Sequence, residues 1–385
     1  MRVLFTISEL TLGGAQKQVI ELGRELVRRG HEATIYTLNR EVPRARELDG
    51  SGVELIVDQK RWKLDPAVIR RLRRYVRTWR PDIIHGFLFD GDIYARIAAF
   101  GTGTPVLNSE RSDNYELSRT QQLAHLLTRP FTDGLVANTH SGSAFAQRLY
   151  GFPAERCHVV WNGLRIEDLE RQARSRADYR AEFFGPGEHK LAVLVGAIKP
   201  AKDYRLAIDV AARLVRADPA WRVLFVGDQL ATLGRYRAGI HSDSSDYKQS
   251  VMRHFEAQGV HDKVRFAGAR TDVPAIVAQA DVLYMTSCRE GFPNVVLEAM
   301  VLGVPVVSTD YSDIRRILPR PGQVIGSRDA DDLAWAILDA YGDRDAIAAE
   351  QKRWVRAHAS IENATLELER VYQRYVRTPA LARAA

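Results

Sequence analysis

The fold of this chain is decided by one stretch, Ser287-Cys288-Arg289-Glu290-Gly291-Phe292-Pro293-Asn294-Val295-Val296-Leu297-Glu298. Residues 281–286 before it are mainly apolar and have the length of a buried strand. The stretch itself predicts a loop followed by a helix over Asn294–Leu302, with Pro293 in the first helical turn. The apolar residues 304–308 then predict the next strand. Strand, loop, helix and strand in this order are typical of a parallel sheet covered by helices.

The same alternation runs through the whole chain and predicts two doubly wound Rossmann-like domains. In the first half, runs typical of strands lie at residues 2–8, 31–38, 81–86, 105–109, 134–138 and 157–161. In the second half, they lie at residues 191–195, 222–226, 264–266, 281–286, 304–308 and 323–325. Residues 164–190 are charged, and we interpret them as an irregular connection between the domains. Because open parallel sheets bind ligands at the carboxyl ends of their strands, we expect the two domains to face a central cleft.

Composition and charge narrow the classes of protein. The chain of 385 residues is 45% hydrophobic and 27% charged, which is typical of a globular protein with two domains. No apolar run reaches the roughly 18 residues that a membrane-spanning helix needs. Only two cysteines are present, Cys157 and Cys288, which favours a reduced cytoplasmic protein over a disulfide framework. The net charge is +7, and residues 1–180 hold 28 Lys and Arg against 22 Asp and Glu.

The most basic part of the chain is residues 60–80, within which a helix is predicted over Pro66–Trp79. Apolar residues recur at helical spacing in this segment, so one face packs and the other carries arginines. Two interpretations stay open. The basic face is either an ordinary solvated surface or a peripheral contact with an anionic membrane beside a lipid-linked acceptor.

Several kinds of chemistry fit the sequence poorly. It contains no phosphate-loop motif, no G-x-G-x-x-G after the first strand and no G-x-S-x-G elbow. The ten histidines show no zinc-binding spacing, and no nucleic-acid-binding motif is present. Residues 230–248 predict a long polar loop before a helix, and its His241 and Asp243 lack the spacing of a metal site. A nucleotide diphosphate fits better, because Lys202 and the helix after Pro293 can both face an anion.

These motifs, taken in their order along the chain, resemble those of a known family. Glu290-Gly291-Phe292-Pro293-Asn294 through Glu298-Ala299-Met300, then Gly303-Val304-Pro305-Val306-Val307, resembles the E-x(7)-E signature of glycosyltransferase family 4. Further matching segments are Gly13-Gly14-Ala15-Gln16, Pro81-Asp82-Ile83-Ile84-His85, Val136-Ala137-Asn138, Val160-Trp161-Asn162-Gly163 and Phe266-Ala267-Gly268 to Asp272-Val273. The resemblance implies a B-type glycosyltransferase fold, a nucleotide-sugar donor, retention of anomeric configuration and no essential metal or other cofactor.

The resemblance also implies a division of the chain and a role for individual residues. An acceptor domain would span residues 1–170, joined by a returning helix at about 362–385, and a donor domain would span 171–361. Glu290 and Lys202 would be catalytic, with Glu290 on the transferred sugar, Lys202 on the leaving diphosphate and Glu298 on the ribose. The full set of donor-binding residues would be Gly14, Lys199, Lys202, Arg270, Glu290, Gly291, Phe292, Pro293, Asn294, Val295 and Glu298. Gly13, Glu110 and Arg111 would contact the acceptor or the sugar.

Two positions depart from the family pattern. Ala197 stands where an arginine is common, so either Lys199 or another residue supplies that charge, or the diphosphate binds more weakly. Glu110 and Arg111 lie where a histidine is common.

The main hypothesis is therefore a retaining glycosyltransferase that moves a sugar, most simply from a UDP-sugar, to a glycolipid, polysaccharide or other glycan. It would act in the cytoplasm, at the inner face of the membrane if the basic helix binds lipid. Two alternatives stay open. One is epimerisation or hydrolysis of a nucleotide-sugar, and the other is a non-catalytic homologue that binds a partner glycosyltransferase.

Overall fold

The computed structural model describes residues 1–11, 13–112, 117–228 and 241–376, and for residues 241–245 it describes the backbone alone. The chain divides into two compact units. Unit 1 contains Met1–Arg165 together with the chain from His358 onward, and unit 2 contains Ile166–Ala357. Each unit is built on one sheet whose described strand pairs are all parallel, so two doubly wound α/β units are confirmed.

Unit 1 has a seven-stranded sheet in the order β3-β2-β1-β4-β5-β6-β7. Its strands are β1 (Arg2–Ile7), β2 (Glu32–Thr37), β3 (Glu54–Val57), β4 (Ile83–Phe87), β5 (Val106–Glu110), β6 (Gly134–Ala137) and β7 (Cys157–Val159). Its helices are α1 (Gly14–Arg28), α2 (Pro66–Trp79), α3 (Leu88–Ala99), α4 (Arg119–Thr128), α5 (His140–Tyr150) and, at the end of the chain, α15 (Ile361–Tyr375).

The central strands of unit 1 are buried on both faces, and successive side chains point to opposite sides of the sheet. In β1, Phe5 packs in a core with α1 and α15, while Leu4 packs in a second core with α2 and α3. The sheet therefore lies between two layers of helices.

The final helix belongs to the first unit. The Tyr372 hydroxyl in α15 lies 2.7 Å from Nδ1 of the buried His85, and Glu369 accepts two hydrogen bonds from Arg29 at 2.6 and 2.9 Å. A Cβ on Gly163 would lie 2.6 Å from the Ile361 Cα, so this glycine permits the close approach of α15.

Unit 2 has a six-stranded sheet in the order β10-β9-β8-β11-β12-β13. Its strands are β8 (Lys190–Val195), β9 (Trp221–Val226), β10 (Val264–Gly268), β11 (Val282–Met285), β12 (Val306–Thr309) and β13 (Val324–Ile325). Its helices are α6 (Ile166–Ala173), α7 (Tyr179–Phe184), α8 (Tyr204–Ala217), α9 (His241–Gln258), α10 (Val273–Ala278), α11 (Asn294–Leu302), α12 (Ile314–Ile317), α13 (Ala330–Gly342) and α14 (Arg344–His358).

The predicted strands are all present, and their ends shift by no more than two residues. The edge strand β3 was not predicted, since its side chains are only partly buried and give a weak apolar signal. The interpretation of residues 164–190 as irregular was wrong. They form α6 and α7, and α6 buries Ile166 and Leu169 beneath a charged outer face.

Two further details of the prediction are corrected. Pro293 lies at the N-cap of α11 with ψ of 77°, outside the first turn in which it was expected. The loop predicted over 230–248 was wrong from residue 241 onward, because α9 begins at His241, and residues 230–240 lie outside the described part of the chain. Among the described helices, none combines the length and the apolar character that crossing a membrane requires.

A close contact between α3 and β1 generates a test of the unit 1 fold. β4 passes directly into α3 at Leu88, whose φ of +64° makes a tight turn. A Cβ on Gly91 would then lie 2.5 Å from the Thr6 carbonyl oxygen, a backbone atom that cannot rotate away. We expect Gly91→Ala to lower the free energy of unfolding of unit 1 by about 1–3 kcal/mol in urea titrations.

In the matched control Gly342→Ala, a Cβ meets no atom within 4 Å. The control should be neutral or slightly stabilising, and equal losses in both variants would contradict the packing argument.

Candidate active site

Lys202 is placed by the turn between β8 and α8. Residues 200–202 form one 3-10 turn, and Asp203 then caps α8 by accepting a hydrogen bond from Leu206 N. The Lys202 side chain folds over Gly196, where a Cβ would lie only 2.8 Å from Lys202 Cε. Burial lowers the pKa of Lys202, and the nearby Lys199 acts in the same direction, while Glu290 opposes both. A largely buried ammonium at a strand end is suited to hold an anion.

Glu290 is the partner of this ammonium, a contact that the sequence did not predict. Lys202 Nζ lies 2.5 Å from Glu290 Oε1, and Ser287 Oγ donates to the same oxygen at 3.1 Å. The two charged side chains are 11% and 14% exposed, so water screens their attraction only partly. The structure thus brings together the two residues predicted to be catalytic.

The loop that carries Glu290 is fixed through its backbone. Thr309 Oγ1 donates to the Ser287 carbonyl at 2.6 Å, and Ser312 Oγ donates to the Gly291 carbonyl at 2.8 Å. Arg328 adds a 3.3 Å hydrogen bond to the Ser287 carbonyl. These carbonyl groups are therefore turned toward their own unit. The supporting residues were not predicted, because side-chain-to-backbone bonds of this kind leave no pattern in a sequence.

Three glycines line the strand ends beside Lys202. Gly227 has φ of +131°, and a Cβ there would lie 2.1 Å from the Gly196 carbonyl oxygen. Gly227 N donates to the Gly268 carbonyl at 2.8 Å, and Gly268 has φ of +68°. The carboxyl ends of β8, β9 and β10 therefore meet without intervening side chains, so backbone groups are accessible to a flat or charged ligand.

The remaining donor-binding predictions fall on α11 and its approach. Gly291 and Asn294 are partly exposed, while Phe292 and Pro293 are buried. Asn294 is the first residue of α11, and Val295 and Glu298 follow on the helix, both partly exposed. The free backbone N–H groups at the N-terminus of α11 favour a negative ligand, and Glu298 lies one turn further along the helix.

Lys199 and Arg270 differ in how they are held. Lys199 is partly exposed directly before the 3-10 turn that ends at Lys202. Arg270 makes two hydrogen bonds to Asp272, at 2.9 and 2.6 Å, and a third to Glu182 at 3.1 Å. This pairing lowers the pKa of Asp272 to about 2. Arg270 is engaged within its own unit, so its predicted contact with the donor requires it to share or exchange partners.

Gly13 and Gly14 lie at the carboxyl end of β1, at the start of α1. Gly13 is the N-cap with φ of −94°, and Gly14 is the first helical residue. A Cβ on Gly13 would lie 2.0 Å from Gln16 Oε1, the end of a flexible side chain. Without a Cβ at Gly13, the Gln16 side chain folds back over the start of α1, and Gly14 is exposed.

Glu110 and Arg111 are positioned by contacts within unit 1. Glu110 Oε1 accepts hydrogen bonds from the backbone N–H groups of Arg111 and Ser112, at 2.9 and 3.0 Å. The Arg111 guanidinium lies over the Phe87 ring at 4.5 Å and donates to Asn162 Oδ1 at 2.9 Å. Burial lowers the pKa of Arg111 to about 10. This arginine is a partly desolvated cation at the strand ends.

A buried histidine lies directly beneath this arginine. His85 bridges the Ser109 hydroxyl at 2.8 Å and the Tyr372 hydroxyl at 2.7 Å. Full burial, aided by the charge of Arg111, lowers the pKa of His85 well below its usual value. His85 is therefore neutral and ties α15 to the sheet.

Sequence reasoning missed Asp92, and it gave no role to Asn138 although that residue lies in a matching segment. Asp92 lies one turn into α3, and a Cβ on Gly86 would lie 2.6 Å from its Oδ1. Burial raises the pKa of Asp92 to about 7. Asp92 Oδ1, Arg111 Nε and Asn138 Oδ1 are buried polar atoms without a hydrogen-bond partner in the described part of the chain. The only available signal for Asp92 was an acidic residue near the start of a helix that follows a strand.

The described residues contain no group of three or more His, Cys, Asp or Glu side chains placed to hold a metal ion. Both cysteines are free thiols.

The Lys202–Glu290 contact predicts how the two residues depend on each other. Lys202→Met leaves a poorly solvated carboxylate without its cation, so we expect a loss of about 1–3 kcal/mol in the free energy of unfolding. Adding Glu290→Gln removes the charge and should restore part of that loss in thermal melts. Additive losses in the double variant would show that the two side chains do not interact in the folded protein.

The shifted pKa of Asp92 predicts a pH effect on stability. An unfolded Asp titrates near 4, so the folded state favours the protonated carboxyl. Its stabilisation is fully present below pH 4 and is lost as the pH rises through about 7. Between pH 5 and 8, the free energy of unfolding of the wild type should fall by about 1–3 kcal/mol relative to that of Asp92→Asn, as measured by urea titrations at each pH. Parallel stability curves for the two proteins would contradict this assignment.

Known families match both units of the chain. The family described as "Glycosyltransferase Family 4" matches residues 12–168, and the family described as "Glycosyl transferases group 1" matches residues 175–359.

Relatives and solved structures agree with these matches. A 2-deoxystreptamine N-acetyl-D-glucosaminyltransferase of Streptomyces fradiae is 26% identical over 88% of this chain and 86% of its own length. The lipopolysaccharide core biosynthesis glycosyltransferase LpsE of Rhizobium meliloti is 31% identical over 55% of each chain. The structure of Anabaena HepE in complex with UDP has a TM-score of 0.80 at 20% identity, over 97% of this chain and 100% of that chain. The chain therefore belongs to glycosyltransferase family 4 and is a glycosyltransferase with the two-domain B-type fold.

Proposed function

We propose that this protein transfers a sugar from a UDP-sugar to a hydroxyl group of a glycan or lipid-linked acceptor, with retention of anomeric configuration. The observation that carries the proposal is the Lys202–Glu290 pair above Gly196, beside a row of glycines and the N-terminus of α11. A cation, bare backbone and a helix N-terminus together suit a diphosphate. The UDP bound to HepE supports the choice of nucleotide.

In the proposed reaction, Lys202 neutralises the diphosphate as the bond from the sugar C1 to the phosphate oxygen breaks. Negative charge grows on that oxygen, so the ammonium stabilises the transition state more than the bound donor. The contacts from Lys202 and Ser287 both reach Oε1 of Glu290. Oε2 is then proposed to accept hydrogen bonds from the sugar hydroxyls, and Glu298 to hold the ribose. The acceptor oxygen bonds to C1 on the face that the diphosphate leaves, and its proton passes to the phosphate.

The acceptor is proposed to bind at the strand ends of unit 1. Asp92 and Arg111 are partly exposed there, and their carboxyl and guanidinium groups can form hydrogen bonds with hydroxyl groups. Polyhydroxylated acceptors fit such a set of groups. The names of the two relatives point the same way, since one acts on 2-deoxystreptamine and the other in lipopolysaccharide core biosynthesis.

We further propose that the enzyme needs no metal or other cofactor and works at the inner face of the membrane. Lys202 supplies the positive charge that a metal would otherwise bring to the diphosphate. The exposed arginines of α2 would attract anionic lipid near a lipid-linked acceptor, with an effect that salt screens.

The proposed site is tested by replacing its two charged residues. Lys202→Ala and Glu290→Gln should each reduce sugar transfer by at least about 100-fold, because each removes a group from the reacting centre. Lys202→Ala should also weaken UDP binding in calorimetry, since that lysine contacts the diphosphate. Glu256→Gln, an exposed carboxylate on α9, is the matched control and should keep full activity. Full activity in both site variants would refute the assignment.

The donor and the reaction type are tested with the wild type. Thermal shifts with a panel of UDP- and GDP-sugars identify the donor, because a ligand that binds only the folded state raises the melting temperature. NMR of the product then reports the anomeric configuration. Conversion of the donor to an epimer or free sugar, with no transfer to any acceptor, would favour the epimerase or hydrolase alternative. Absence of any nucleotide binding would favour a non-catalytic homologue.

A further inference from the structure

Helix α4 has its polar and apolar faces reversed. Leu123, Leu126 and Leu127 lie on one face at helical spacing and are 56%, 62% and 64% exposed. The opposite face carries His125 and Thr128, which are buried. A surface helix normally turns its apolar face to the protein and its polar face to water. We call the three leucines the α4 stripe.

The reversed orientation is fixed by a buried arginine of α3. Arg96 is fully buried and donates to Thr128 Oγ1 at 3.2 Å, and its Nη1 lies 3.0 Å from His125 Nδ1. Its Nε donates to Asn108 Oδ1 on β5 at 3.1 Å. Rotating α4 to bury the leucines would remove the two partners that α4 supplies to this guanidinium, and a buried polar group that loses its partners is costly. The α4 stripe therefore stays exposed in the folded unit.

The apolar surface continues beyond α4. Phe131, three residues after the end of α4, lies with its ring centre 4.5 Å from that of Phe100. Phe100 follows α3 and is 57% exposed. Its carbonyl accepts a hydrogen bond from Arg73 of α2 at 2.6 Å, so α2 adjoins the same surface.

The helices around this surface carry positive charge, although the exposed Asp133 follows Phe131. The sequences of α2, α4 and α5 contain no acidic residue. Arg70, Arg74 and Arg77 of α2 are exposed, and no ion pair holds them within the described part of the chain. Arg119, at the start of α4, is exposed as well. An apolar stripe with Arg119 on the same helix, and further unpaired arginines on α2 of the same unit, matches a surface with negative headgroups above an apolar interior.

We propose that the α4 stripe inserts into an anionic lipid bilayer, with the arginines of α2 on the headgroups. A second copy of this chain fits the surface less well, because a symmetric contact would bring like charges together. The inference deepens the proposed function, since it would hold unit 1 against a membrane that carries the acceptor. In this proposal α4 inserts into the bilayer, and the basic helix α2 contributes only electrostatic attraction to the headgroups.

The test is co-sedimentation of the full chain with vesicles of equal parts phosphatidylglycerol and phosphatidylcholine. The triple variant Leu123→Gln, Leu126→Gln, Leu127→Gln should bind about tenfold more weakly or worse, at low and high salt alike, because apolar burial is not screened. The variant Arg70→Gln, Arg74→Gln, Arg77→Gln should lose binding mainly at low salt. Trp335→Gln, which removes a 70% exposed side chain in unit 2, is the control and should bind as the wild type.

Circular dichroism and thermal melts verify that the variants are folded, which is expected because the substituted side chains are exposed. The proposal would be overturned if the leucine variant bound vesicles as strongly as the wild type. It would also be overturned if the wild type did not bind anionic vesicles. A third outcome would show that a second copy covers the surface. In it, the wild type forms a concentration-dependent dimer in sedimentation velocity, the leucine variant stays monomeric, and neither protein binds vesicles. Because the assay involves no sugar transfer, its outcome is separate from that of the proposed function.

Discussion

The contact between Lys202 and Glu290 depends on the absence of a side chain at Gly196. The lysine can reach across the end of β8 only because its methylene groups occupy the space where a Cβ would stand. The carbonyl oxygen of Gly196 accepts a hydrogen bond from the Tyr204 hydroxyl at 2.6 Å, and it also lies against Gly227. One residue thus determines the position of the cation, the start of α8 and the spacing between two strand ends. The geometry of the strand ends in unit 2 follows from how closely backbone can approach backbone at this point.

Much of this arrangement could be predicted because buried parallel strands give continuous apolar runs. The strands that precede Gly196 and Glu290 are of that kind, and the residues after them therefore fell at the correct edge of the sheet. β3 at the edge of its sheet and the charged helices α6 and α7 could not be recognised in that way. Their apolar residues are few, and only contacts with the rest of the unit show which face is buried.

Within the site, the charged residues could be predicted and their supports could not. Glu290 and Lys202 follow strands at positions that a linear pattern reveals. Ser312 and Arg328 act on backbone carbonyl groups that are close only after folding. Asp92 shows the same limit in unit 1, because its raised pKa results from burial beside Gly86, and burial of a single side chain is a property of the folded unit.

The return of α15 to the first unit has a consequence for the order in which the chain folds during synthesis. The core between β1, α1 and α15 includes Ile361, Leu368 and Tyr372, and His85 has Tyr372 as one of its two partners. These residues leave the ribosome after every residue of unit 2. The amino-terminal half of the chain is therefore made first but completed last, with one face of its sheet short of a helix until translation reaches α15. During that interval the nascent chain exposes apolar surface that a chaperone can bind, and unit 2 is the first to form a closed core.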